Sequence, residues 1–523
     1  MDTRDTSRDG FWNKLEGLAL TGFRPVWAFL NGTAWLGNRV NSFLISKAVL
    51  KAKPRPHQFS TVATYTSWRS LTDKSWSGRH LPERRIDGLP KPEAVLDLFR
   101  IPAGSQQRMS EKSTFLFASF AQWFTDGFLM TDNADRRRNY SNHQIDLNPL
   151  YGISAAVTDQ LRLKSHVTGK RGRMKSVIRG GEEFPPLLFV AGTRDKQAGL
   201  SDVPVPLNLP PVDKVGYTRS DTFLALGGDR ANTTPVTAAI GTLFLREHNR
   251  VAGIIEKANP AWDDERVFET ARNVLIVLLI KVVVEDYINH ISPYWFRFRA
   301  DPPAAWHKRW NKPNWIAIEF NLLYRWHGFV PETFAFDGKQ VAAEQVILDN
   351  SLLAGAGLAK TLDQASRQKA GVLGLLNTVP ALHRVELASI KQGRENGLAS
   401  YNDYREAMKF PRVTRFEQVS GNPHVVAGLR RVYGDVDKIE FFAGLFAEDC
   451  RPRSAVPSLI GRMVALDAFS QAMTNPLLSE NVFNEQTFSK EGMAIIAATK
   501  GLRDIAIRNT RPDADMRVSF DQV

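Results

Sequence analysis

Tyr324 and His327 stand three residues apart in the segment EFNLLYRWHGFVPETF, Glu319 to Phe334. On a helix that spacing puts both side chains on one face. The imidazole could ligate a metal through one ring nitrogen while the phenol points into a neighbouring cavity. Haem iron held by an axial histidine is one chemistry that uses such a pair. The competing reading is a core tyrosine beside a satisfied core histidine. Of the ten histidines in the chain, His327 has the surroundings that single it out.

The elements that must carry these residues read as mainly α-helical. Ser113 is expected to cap a helix through Phe115, Phe117, Phe120, Phe124 and Phe128, whose apolar residues recur at three and four. A second helix is predicted from Thr234 to Ala258, and a third from Asp263–Asp264 to about His290. A fourth is predicted from Trp315 to about His327, with Pro331 beyond its end. The third contains the most apolar run, Val274 to Val284. It is too short for a bilayer span of about 20 residues and is interrupted by Lys281, so it reads as a buried core helix. Strand signals are thin; Leu161 to Pro186 suggests two short segments flanking the basic stretch Lys170–Arg173 like a hairpin.

Composition narrows the function classes. The 523 residues are 43% hydrophobic and 24% charged, an ordinary globular balance that argues against disorder or repeat arrays. The net charge of +13 favours acidic partners without choosing among them. The basic stretch near Lys170 reads as a solvated loop, and no nucleic-acid partner is expected. The single cysteine, Cys450, excludes an internal disulfide or a thiolate zinc cluster and suits a reducing, cytoplasmic compartment. No secretory signal is visible, so the chain is not expected to be secreted.

The segment from about Phe11 to Arg55 is set apart. No acidic residue occurs between Glu16 and Asp73, while Arg24, Arg39, Lys47, Lys51, Lys53, Arg55 and Arg69 fall in that gap among Trp27, Phe29, Trp35, Phe43 and Leu44. Basic, tryptophan-bearing amphipathic pieces without a spanning run suit an anchor lying in the membrane interface. Helices packed on the rest of the protein are the alternative.

EFNLLYRWHGFVPETF resembles the proximal-haem helix of the cyclooxygenase and fatty-acid dioxygenase branch of the animal-type haem peroxidases. LFASFAQWFTDGFLMTD (Leu116–Asp132) is similar to that family's distal-haem helix, and HQIDLNPLYG (His143–Gly152) to the segment after it. LFLREHNRVAGII, IKVVVEDYINHISPYW, EFFAGLFAEDC and NPLLSENVFN follow in the family's order. The similarity runs from roughly Phe11 to Thr510. It implies a haem peroxidase-type helical catalytic domain over 57–523, monotopic membrane-binding helices over 11–56 and a polar tail over 1–10. It implies haem b as cofactor, with His327 as the proximal iron ligand, Tyr324 as the hydrogen-abstracting radical and Gln122 as a distal amide. Tyr287 would partner Tyr324, and Ile288, Ser292 and Tyr294 would line a fatty-acid channel. Fatty acid and O2 would be the substrates, a hydroperoxide the activator and a homodimer a further implication.

The sequence also departs from that pattern. The family's distal histidine lies four residues after the distal glutamine, where this chain has Asp126. A carboxylate there can act as a general base only if its pKa lies near the working pH. The arginine that holds the substrate carboxylate maps to about Val49, so Lys47 or Lys51 is expected to take its place. Arg462, whose planar fork fits a carboxylate bidentately, is the stronger candidate. The family's acetylatable serine maps to Ala468, with Ser470 the nearest hydroxyl. The expected activity is a haem-dependent fatty-acid dioxygenase that yields a hydroperoxide. The alternatives are a haem peroxidase acting on small donors, or a haem- or lipid-binding relative whose peroxidase activity is vestigial.

Overall fold

The computed structural model describes residues 10–51, 72–132, 134–207, 209, 218–312, 314–511 and 515–522. The predicted tail (save Gly10) and residues 52–56 of the predicted anchor lie outside these. Among the described residues helices dominate, and six short strands pair as three two-stranded antiparallel sheets. The pairs are β1 (Met109–Thr114) with β6 (Lys369–Gly371), β2 (Val177–Arg179) with β3 (Glu182–Phe184), and β4 (Thr333–Phe336) with β5 (Lys339–Ala342). The hairpin expected around Lys170–Arg173 reduces to one bridge, Arg162 to Met174, and the true hairpin turns at Gly180–Gly181. Gly180 and Gly181 both adopt positive φ, which a tight hairpin turn demands of its central residues.

Three helices open the described chain: α1 (Phe11–Thr21), α2 (Arg24–Gly32) and α3 (Ala34–Val49). The stripe Gly37, Asn41, Ile45 and Val49 of α3 faces the protein body. Asn41 grips the backbone of Arg299 from both sides, donating to its carbonyl and accepting from its amide. Asn31 does the same with Trp295 and Arg297. The outer face is the apolar one: Phe23, Val26, Phe29, Trp35, Phe43 and Leu50 are all more than half exposed. That is the reverse of a water-facing helix. Among the described residues no helix is long and apolar enough to cross a membrane.

Helix α4 (Phe115–Thr125) buries nearly every residue. Thr114, not Ser113, caps it, its hydroxyl accepting from the Phe117 amide. Ser113 is engaged elsewhere, its Oγ 2.9 Å from His290 Nε2. Helix α5 (Pro235–Ala258) begins at Thr234, where a reciprocal cap with Thr237 satisfies the first amides. Helix α6 (Asp264–Lys281), capped by Asp263, packs against α5 and carries the long apolar run through the core. Its last turns widen into a π-helix, Val282–Ile288, and a final α-helical turn ends at Ile291. His290 Nδ1 meets Asp521 at 2.9 Å, so the C-terminal segment ties down the end of this rod.

Candidate active site

The segment bearing Tyr324 and His327 is not the single helix expected. Helix α7 (Ile318–Leu323) stops before Tyr324, and the chain bends through Arg325 and Trp326 into a 3-10 turn, His327–Phe329. Trp326, at φ −85 and ψ 46, breaks the helical geometry, so the two residues do not share a helix face. Packing imposes the bend: the 3-10 turn lies directly on β6, where a Cβ on Gly371 would sit 2.1 Å from the Gly328 carbonyl oxygen. Only glycine allows so close an approach. Helix α7 is fixed by buried Glu319, which accepts from the Tyr404 hydroxyl at 2.7 Å and the His80 amide at 2.9 Å.

Tyr324 stands in an aromatic cage, its ring stacked on Trp326 at 4.7 Å and tilted against Phe320 at 4.6 Å, with Phe124 edge-on at 6.2 Å. Tyr287, on the π-helix, packs on two of the same rings, 6.3 Å from Trp326 and 5.2 Å from Phe124. The two hydroxyls influence each other's ionisation, yet neither makes a hydrogen bond of regular geometry. Burial raises the pKa of both phenols far above that of a free tyrosine, so both are neutral at any physiological pH.

His327 Nδ1 is hydrogen-bonded to Glu386, which is 2% exposed and lies in the first turn of helix α8 (His383–Glu395). Among the described residues, His327 Nε2 has no partner. Gln122 lies in the last turn of α4, and Asp126 is the residue on which that helix closes. Both are part-exposed although the residues on either side of them are buried, and the same holds for His327. This is the exposure pattern of residues opening onto an internal slot.

Asp126 Oδ1 lies 3.9 Å from Arg230 Nε, and Oδ2 is buried without a hydrogen bond. Burial, opposed by the Arg230 charge and reinforced by Asp229, raises its pKa to about 7. Arg325, between Tyr324 and Trp326, has a buried Nε with no partner, and burial lowers its pKa to about 10. A His327 nitrogen without a partner would hold haem iron, and an orphaned guanidinium nitrogen at Arg325 would suit an anionic propionate, while Asp126 offers only an unpartnered oxygen. These residues fit haem.

A cavity runs from beneath α1 and α3 toward the π-helix, with about 920 Å³ of non-protein space, part of it open to solvent. Ile288, Ser292, Tyr294 and Arg462 line it, as does Lys51. Lys47 does not; its amine pairs at 3.0 Å with Glu16, a cavity-lining carboxylate that Lys51 also meets, at 3.8 Å. Arg462, on helix α9 (Ser458–Met473), donates to the Met408 carbonyl and Asn13 Oδ1 and lies over the Phe410 ring at 4.6 Å. Arg451 lines the same mouth. Burial, followed by repulsion from Arg462, lowers the pKa of Lys51. Ser470 is buried and bonded to Asn314 at 2.8 Å, so it offers no free hydroxyl near Ala468.

Sequence reasoning missed Glu386, Arg230, Arg325 and Arg451. Arg325 was in view inside the motif; Glu386 and Arg230 carry no local signal.

Residues 31–520 match the model of the animal haem peroxidase family. Prostaglandin G/H synthase 2 of Equus caballus is 31% identical over 509 residues, covering 94% of this chain and 80% of that protein. Prostaglandin G/H synthase 1 of Rattus norvegicus is 30% identical over 501 residues, covering 93% and 79%. Among solved structures, the fatty acid alpha-dioxygenase of Oryza sativa superposes with TM-score 0.68 at 18% identity, covering 95% of this chain and 94% of that one. Peroxidase A of Dictyostelium discoideum superposes with TM-score 0.66 at 17% identity, covering 90% and 94%. By the extent of these matches the chain belongs to the animal haem peroxidase family, as an oxidoreductase of its cyclooxygenase and fatty-acid dioxygenase branch.

Proposed function

We propose that the protein is a haem-dependent fatty-acid dioxygenase in which Tyr324 removes hydrogen from an acyl chain. The observation that carries this reading is the meeting of Tyr324 with Tyr287, whose neighbour Ile288 lines the cavity while His327 lies three residues from Tyr324. Bound haem b, held through His327 Nε2, would supply the oxidising equivalent drawn from a hydroperoxide. The protein's own residues do the rest. A neutral buried phenol gives up its electron and proton together, as one hydrogen equivalent to the oxidant that bound haem would supply, and the Tyr287 hydroxyl is placed to interact with the oxygen left behind. The Tyr324 radical takes one hydrogen from a methylene, O2 adds to the carbon radical, and hydrogen returned by Tyr324 leaves a hydroperoxide.

Substrate selection would be positional. Burial is worth about 0.8 kcal/mol per CH2, so the apolar walls hold the chain while the cationic mouth orients it. Arg462, Lys51 and Arg451 together present positive charge to a carboxylate. The exposed apolar face of α1–α3, with Arg24 and Arg39 beside it, supports a monotopic anchor on a lipid surface.

Haem-loaded protein given a panel of saturated and unsaturated fatty acids under labelled O2 tests the reading. Oxygenated product from wild type and none from Tyr324→Phe is expected. Equal product from the two sinks the proposal. The second reading, a peroxidase acting on small donors, is favoured by the part-exposed slot at Gln122 and Asp126. It predicts donor oxidation that Tyr324→Phe leaves intact, without fatty-acid oxygenation by either protein.

A further inference from the structure

The residues that open between buried neighbours are unequally equipped. On the side of Gln122, the position that could move a proton between peroxide oxygens is a carboxyl group, Asp126. Near neutrality about half of it is ionised, given its pKa of about 7. In that form it repels an anionic peroxide and donates no proton. His327, by contrast, is held by a carboxyl group. Glu386 is buried, its oxygen bonds Nδ1 directly, and its place in the first turn of α8 lets the helix amides favour negative charge. Arg325 adds a cation within electrostatic reach of Glu386.

A carboxylate that accepts the ring N–H of a ligating histidine fixes its tautomer and raises the basicity of the other nitrogen. We infer that Glu386 is a positioning residue that makes His327 an electron-rich axial ligand and thereby offsets the weakened acid–base side at Asp126. This rests on the reading of His327 as the haem ligand. With haem bound, a more basic His327 would favour peroxide O–O cleavage and leave less proton help to be supplied by Asp126. Glu386 touches neither substrate nor the reacting oxygen atoms; it acts through the imidazole alone.

The test compares haem-loaded wild type with Glu386→Gln, which keeps size and a weaker acceptor, and with His327→Ala. The readouts are the iron–imidazole stretch of the ferrous protein by resonance Raman, the ferric/ferrous midpoint potential, and turnover of an acyl hydroperoxide. In Glu386→Gln the stretch is expected to fall and the potential to rise. Hydroperoxide turnover is expected to drop about 10- to 100-fold, the range for loss of such a partner. An unchanged stretch and potential in a Gln variant that binds haem overturns the inference while leaving His327 as ligand. If the variant does not fold, wild type alone decides: a stretch no higher than that of haem with free imidazole overturns it. A stretch equal in wild type and His327→Ala removes the ligand assignment and this inference together.

Discussion

Asp126→Asn separates the energetic cost of this carboxylate from its chemistry. In the folded chain its pKa is about 7, against 3.8 for the free side chain, with burial as the main cause. That gap corresponds to about 4 kcal/mol of preference for the neutral form. The group is raised, so the native state binds its proton more tightly than the unfolded chain does. Its contribution is complete below about pH 4 and is lost progressively as the pH rises to about 7. Asparagine matches the neutral acid in shape and carries no such dependence. The haem-free variant is therefore expected to equal wild type near pH 4 and to be more stable at pH 8. The difference approaches but does not exceed about 4 kcal/mol, because the side chain is 14% exposed and water in the slot screens it. Denaturant unfolding at several pH values measures the difference. Infrared difference spectra between the two proteins should show a protonated carboxyl band that fades with a midpoint near pH 7. A variant less stable than wild type at pH 8, or a band absent at pH 5, would refute the account and make Arg230 the dominant influence.

The other expectations are more local. Gly371→Ala should push the His327 turn off β6, costing about 1–3 kcal/mol as overpacking does and weakening haem retention in a titration followed at the Soret band. Arg405→Met should destabilise by about 3–5 kcal/mol in thermal or chemical unfolding, because buried Glu448 would lose its cation and keep only the Tyr401 hydroxyl and the Leu459 amide. A Trp35→Ser, Phe43→Ser double variant should lose co-sedimentation with anionic vesicles and retain its circular dichroism. Arg462→Leu should raise KM for a fatty acid more than it lowers kcat; an equal fall in both would assign Arg462 to structure.

Much of the site could be read from residue types and counting. Tyr324, His327 and Gln122 lie in contiguous motifs, and Asp126 emerges by counting four residues on. The helices with the strongest signals, Thr234 to Ala258 and Asp263 to about His290, have the expected course, because caps and apolar periodicity agree along them. The early end of α7 was not legible: nothing in LLYRWHG forbids a helix, and the bend arises from packing on Gly371. Ser113 failed as a cap because Thr114 satisfies the same amides while His290 claims the serine. Glu386 is 59 residues from its partner, and no local pattern marks a carboxylate that only the fold brings there. Lys47 and Lys51 both meet Glu16, the Lys47 amine more closely, and no local pattern marks which of the two reaches the cavity.

The π-helical turn at Val282–Ile288 has a consequence for engineering. Its i→i+5 bonds rotate the chain less per residue than an α-helix does, so the downstream side chains keep a phase that an uninterrupted rod would not give them. Closing that turn to ordinary α-helical pitch with the number of residues unchanged would advance every later side chain around the rod by roughly one α-helical step. It would swing Tyr287 off Tyr324 and Ile288 off the cavity wall together, while leaving every side chain chemically intact. The widened turn thus keeps the tyrosine pair and the cavity wall in one register, and removing a single residue along with it would restore that register.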